Sequence, residues 1–185
     1  MKLLRTIRLD PSDTIVFERA AEPGEWAVPG AFVFMNSDPS ALTGKARVAF
    51  RSGFLGIDSL GWSTLVQIVS ASETDRAQAI ALLAERLLAK FGAPDKAAAS
   101  AAAAEEIEFA ASLCDQAEST IIAMQRGSED GSIRETFRTL RPTEGKRPAR
   151  AFSFLEVEGD EAADAQSPAD EVHLVDLAND KEKSR

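Results

Sequence analysis

The chain holds one histidine, His173, and one cysteine, Cys114, so few of the side-chain constellations that carry chemistry can be assembled from it. With a single residue of each kind there is no cysteine–histidine cage for zinc. His173 lies in an acidic stretch with Asp176 three residues on. A general base must be held within about 3 Å of its proton by rigid surroundings, so His173 reads as a surface residue of a peptide motif. Cys114 comes at the end of a helical stretch, whereas helix-activated thiols sit at helix starts; it is expected in the core. Glu105, Glu106 and Glu108 share no single helical face and read as solvated surface. The acidic residues of the last thirty positions match no calcium-loop spacing. No catalytic residue, metal site or cofactor is expected, and the inventory favours a protein that is not an enzyme.

Two basic features remain. In the first, Lys45, Arg47, Arg51, Ser52 and Gly53 precede and enter the run Phe50-Arg-Ser-Gly-Phe-Leu-Gly56. Arginines and glycine-freed backbone N–H groups can hold an anion such as a phosphate ester, although the spacing is neither a Walker loop nor a dinucleotide fingerprint. The second comprises Arg134, Arg138, Arg141 and Arg150, with Lys146 and Arg147 among them. Arg134 and Arg138 share one strand face with Thr136, opposite Ile133 and Phe137, and could dock an acidic protein partner or the chain's own tail.

That tail carries the charge. Residues 156–185 contain ten acidic and three basic residues, whereas the whole chain has a net charge of −9. Such an acidic chain is a poor general binder of nucleic acid, whose phosphates would repel it. Within the tail Val172, Leu174 and Leu177, with Val175, form an apolar island suited to a linear motif or to an added edge strand. A single cysteine excludes an internal disulfide and suits a reducing compartment. Met1–Arg8 offers no apolar run of signal-peptide length, and no stretch approaches the roughly 20 apolar residues of a membrane span. A soluble, cytoplasmic protein is expected.

The elements that would position these residues follow from periodicity. Trp62–Val69 is apolar on both faces, as a strand inside a covered sheet should be. Ser72 stands at an N-cap before Glu73 and Asp75. Ile80, Leu83, Ala84, Leu87, Leu88 and Phe91 then recur at helical spacing up to Gly92 and Pro94. A second helix is expected between Asp95 and Asp115, its ordered part beginning near Ser100 because Lys96 opposes the helix dipole. Strands are expected at Leu3–Leu9, Thr14–Glu18 and Trp26–Phe34, the last with a bulge or edge position at Pro29-Gly30. Thr43–Ser52 reads as a short helical or irregular run. Further strands are expected at Thr120–Gln125, Ile133–Leu140 and Ala149–Val157. The expectation is an α+β domain over residues 1–157, a mostly antiparallel sheet with two adjacent helices packed on one face. Residues 158–185 are expected to form a disordered acidic tail carrying the 172–177 motif.

The blocks Ile7-Arg-Leu-Asp-Pro-Ser-Asp13, Phe50–Gly56, Gly61-Trp-Ser-Thr-Leu65 and Glu106-Ile-Glu-Phe-Ala-Ala-Ser-Leu-Cys-Asp115 resemble a family of short bacterial proteins of unknown function. The resemblance covers roughly residues 1–157 and brings no activity or catalytic residue with it. It does imply a role as accessory or maturation factor for a larger metal-dependent oxidoreductase. The residues themselves lead to a cytoplasmic interaction or accessory protein, docking through the tail motif, the arginine-bearing strand face, or both. The alternatives are an anion binder or minor enzyme at Lys45–Gly56, and a homodimer formed through a sheet edge.

Overall fold

The computed structural model describes residues 1–129 and 132–140. The expected strand Ala149–Val157, the basic turn before it and the acidic tail lie outside the described residues. In chain order the elements are β1 (Lys2–Ile7), α1 (Ser12–Val16), β2 (Trp26–Val28), two 3-10 turns (Ala31–Phe34 and Pro39–Ala41), α2 (Gly44–Ser52), β3 (Phe54–Gly56) and β4 (Trp62–Ser63). They continue with β5 (Leu65–Ser70), α3 (Glu73–Lys90), α4 (Lys96–Ser112), β6 (Ile121–Glu129) and β7 (Ser132–Leu140). The strands form one sheet in the order β4-β3-β2-β1-β5-β6-β7, with antiparallel neighbours throughout. The architecture is α+β, as expected.

This order forces a shape. Only Thr64 separates β4 from β5 in the chain, yet β3, β2 and β1 lie between them in the sheet. Strands spaced about 4.8 Å apart would put β4 and β5 roughly 19 Å apart in a flat sheet. Two residues of chain span about 7 Å. The sheet therefore curls until β4 returns to the edge of β1, and the Ser63 hydroxyl donates to the carbonyl of Ile7 at 3.0 Å. Asp13 of α1 fastens this seam. Its carboxylate accepts the Thr64 hydroxyl at 2.6 Å, the Ser63 hydroxyl at 3.2 Å and the Thr64 amide at 3.3 Å.

The tight curl explains two glycines. A Cβ at Gly61 would lie 2.4 Å from the carbonyl oxygen of Ala20, which runs alongside Trp62 as a parallel bridge. At Gly53 it would lie 2.8 Å from the Trp62 ring.

Helix formation follows local chemistry. Ser72 and Asp75 cap α3 reciprocally: the Ser72 hydroxyl accepts the Asp75 amide at 3.1 Å, and the Asp75 carboxylate accepts the Ser72 amide at 2.9 Å. Ala79, Leu83, Ala84 and Leu87 are buried. α4 starts earlier than its charges suggest, because Asp95 accepts the Ala98 amide at 2.8 Å. An N-cap of this kind contributes about 1 kcal/mol, enough to offset a misplaced lysine at roughly 0.3–1 kcal/mol. The small residues Ala99, Ala103 and Ala110, with Ile107, form its buried face and let it lie close to α3, β1 and β2.

Three strand expectations are corrected. Thr14–Glu18 is not a returning strand; α1 occupies most of it. The Asp10 carboxylate accepts the Ser12 amide at 2.8 Å and the Thr14 hydroxyl donates to Pro11, local bonds that favour a helical turn. The strand from Trp26 stops at Val28. Pro29 and Gly30, at φ 76°, turn the chain into a 3-10 turn, and there Phe34 stacks on Trp62 at 5.3 Å. Trp62–Val69 is divided at Thr64 between two places in the sheet. Val66 and Ile68 are fully buried while Leu65 and Val69 are only partly covered.

Candidate functional site

Beyond Ala123, β6 leaves β5. Their pairing ends at Leu65↔Ala123, whereas β6 and β7 stay paired out to Glu129↔Ser132. The two strands continue as a ribbon beside α2. A lone two-stranded ribbon is marginally stable in water, so this one needs an anchor, and Arg126 supplies it.

Arg126 is 2% exposed. Its guanidinium donates to Glu135 at 2.7 Å across the ribbon, to the carbonyl of Phe50 at the end of α2 at 2.8 Å, and to the carbonyl of Pro29 at 2.6 Å. The rings of Phe34 and Phe50 stand 5.6 and 5.9 Å away. Burial pulls the arginine's pKa down, and Glu135 and Glu106 oppose that. Glu106 of α4 is turned inward, contrary to the surface position expected for it, and accepts the Gly30 amide at 2.9 Å. Burial raises its pKa, the nearby Glu135 charge adds to this, and the Gly30 amide and Arg126 counter it.

The outer face of the ribbon is different. Arg134, Thr136 and Arg138 are exposed on β7, opposite Gly127, Gln125 and Ala123 of β6. Arg134 pairs with Glu129. Among the described residues β7 is the last strand of the sheet. Arg141, Arg150, Val172, Leu174 and Leu177 lie outside the described residues, as does His173.

The Lys45–Gly53 group is spread around α2. The Lys45 ammonium donates to the Phe17 carbonyl at 3.3 Å, the Ser52 hydroxyl to Val48 at 3.1 Å, and the Gly53 amide to Ala49 at 3.0 Å. Arg47 and Arg51 are exposed four residues apart, on one side of the helix. Gly53 gives room to Trp62.

A groove of about 340 Å³ opens at the seam, between α1, the end of α2 and β6. Ile7, Leu65, Ala123 and Met124 supply apolar wall, and Asp10, Asp13, Ser12, Ser52 and Thr64 supply polar groups. Ile7, Leu65 and Ala123 are register partners across β1, β5 and β6. Leu9, also in the lining, is 55% exposed.

Cys114 is buried, its thiol 3.4 Å from the Ala110 carbonyl, and burial pushes it up to about 11. It is a core residue, as expected. Among the described residues no three histidine, cysteine, aspartate or glutamate side chains gather as metal ligands. Nor is any helix there long and apolar enough to cross a membrane.

Sequence reasoning missed Arg126 and Glu106. Arg126 left a signal: Ile122, Met124 and Arg126 fall in one phase of a period of two, and Ile133, Glu135 and Phe137 do so in the next strand. Glu106 left none, because its partner Gly30 is remote in sequence.

No curated protein and no solved structure matches the chain. A family profile does, over residues 1–153, a span that takes in the seam, the groove and the whole ribbon. The chain belongs to DUF6505, a family of unknown function.

Proposed function

We propose that this is a non-enzymatic docking or accessory protein of the cytoplasm that binds another protein through the outer face of the β6–β7 ribbon. The observation that carries the reading is the row Arg134, Thr136 and Arg138, exposed on the last described strand, while Arg126 of β6 bonds Glu135 across the ribbon and ties the ribbon to the body. A docking surface must be held before it can select a partner, and here the exposed charges stand on a ribbon fixed by buried bonds. The arginines favour an acidic partner. A second copy paired antiparallel about Thr136 would set Arg134 against Arg138, and opposed like charges destabilise a strand pair. The acidic tail, with Val172, Leu174 and Leu177, supplies a second contact of opposite charge. The partner that the family resemblance suggests is a larger metal-dependent oxidoreductase.

The test is capture from native lysate with the full chain and with the double variant Arg134→Glu, Arg138→Glu. A partner held by the parent and lost by the variant supports the reading. Retention by the variant, with loss on Arg47→Glu, Arg51→Glu instead, moves the function to α2. Binding through the ribbon should also weaken as salt rises past about 0.15 M, where screening shortens to roughly 8 Å.

A further inference from the structure

Among the described residues the seam groove is lined by two carboxylates, three hydroxyl-bearing residues and apolar side chains, with no cationic side chain. Its volume of about 340 Å³ lies at the small end of ligand sites, roughly 300–1,000 Å³. We propose that this groove binds a small organic cation, an apolar chain ending in an amine.

Three observations carry this. The first is charge. Asp13 is 4% exposed, and the described side-chain and backbone groups that bond its carboxylate are two hydroxyls and an amide, all neutral. An ammonium group in the groove would add a charge-assisted hydrogen bond to a carboxylate that these neutral donors hold in place. Asp10, at the exposed rim, is held below the usual carboxylate range by the Ser12 hydroxyl and amide, and stays charged.

The second is the floor. Ile7, Leu65 and Ala123 lie side by side across three strands and remain only partly covered, a surface for a short alkyl chain. Arg138, the cross-strand partner of Ala123, stands one strand outside the lining. The third is the mouth, where Leu9 is left 55% exposed. Burying it under a ligand would remove apolar surface from water at about 25 cal/mol per Å². The groove floor adjoins the ribbon face at Ala123, the cross-strand partner of Arg138, but neither reading needs the other.

Hexylamine is the probe, with hexanol and hexanoate as matched controls, each titrated into the full-length protein and followed by amide NMR shifts and thermal midpoint. The expected result is saturable movement of the Ile7, Leu65 and Ala123 signals with hexylamine, a weaker response to hexanol and none to hexanoate. Asp13→Asn keeps an acceptor for Thr64 and should weaken hexylamine binding about tenfold or more while leaving the hexanol response unchanged. Asp10→Asn, at the exposed rim, gives the same comparison at a smaller size should the Asp13 variant unfold. Equal responses to all three probes would show apolar partition without a cation site and overturn the proposal, as would silence at millimolar amine. A groove already filled by the chain's own basic residues 141–150 would reveal itself otherwise. The same signals would move on adding salt alone, or in Lys146→Glu, Arg147→Glu, and that outcome also overturns it.

Discussion

Replacing Arg126 with methionine keeps much of its length but leaves Glu135 and the carbonyls of Phe50 and Pro29 without their donor. Removing one partner of a buried ion pair costs about 3–5 kcal/mol, and urea unfolding should show a loss of that order. The double variant Arg126→Met, Glu135→Leu should recover part of it, since no lone charge then stays buried; a double variant no better than the single would contradict the assignment. Glu106 gives a pH prediction. Its carboxyl pKa is raised in the fold, so the native state holds the proton more tightly than the unfolded chain. Its contribution is therefore most favourable below the unfolded value, about 4.5, and is lost as pH rises through the higher folded value. Glu106→Gln keeps an acceptor for Gly30 and carries no charge. The stability difference in favour of the variant should open as pH climbs through that window, and parallel pH–stability curves would refute it. Both residues escaped the sequence reading for a physical reason. Charged side chains are almost never fully buried unless paired; Glu135 is near Arg126 in the chain, but the carbonyls of Phe50 and Pro29 that complete its burial, and the Gly30 amide that Glu106 accepts, are far along it.

The elements whose signals are local were legible, and those decided by distant contacts were not. α3 carries its cap, stripe and stop in its own and flanking residues, and the structure reproduces the cap, the stop and most of the stripe: Leu83, Ala84 and Leu87 are buried with Ala79, whereas Leu88 is left 38% exposed. Thr14–Glu18 was misread because Ile15 and Phe17 alternate like a strand, while bonds of Asp10 and Thr14 decide for a helical turn. The split of Trp62–Val69 could not be seen in a run of apolar residues, since Thr64 looks like any strand residue until Asp13 binds it. The α3–α4 contact rests on alanines. Ala103→Leu inserts bulk where the buried face has none to spare, and overpacking of this kind costs about 1–3 kcal/mol. A thermal melt should show the loss, whereas Ala101→Leu, on the exposed side of the same helix, should leave stability nearly unchanged.

At the scale of the whole molecule, the α+β class and the antiparallel pairing were readable, and the strand order was not. Curling arises from a mismatch between chain distance and sheet distance, which no local pattern records. Gly61→Ala tests that closure, since the new Cβ would meet the Ala20 carbonyl at 2.4 Å. The strand pairing beside Trp62 should be displaced, with weakened hydrogen-exchange protection at Ala21 and Trp62, whose bonds to each other and to Arg19 hold it. Unchanged protection there would mean the seam is looser than the geometry indicates.

The position of β1 has a consequence for synthesis. It is made before the other strands of its sheet, yet it sits inside the finished sheet, with β2 on one edge and β5 on the other. Lys2 pairs with Ser70 and Ile7 with Leu65, so one edge of β1, a strand carrying the buried Leu3 and Leu4, has no native neighbour until β5 has been made. A nascent chain stalled before β5 therefore presents an open apolar strand edge, the kind of surface that chaperones cover and that aggregates form on.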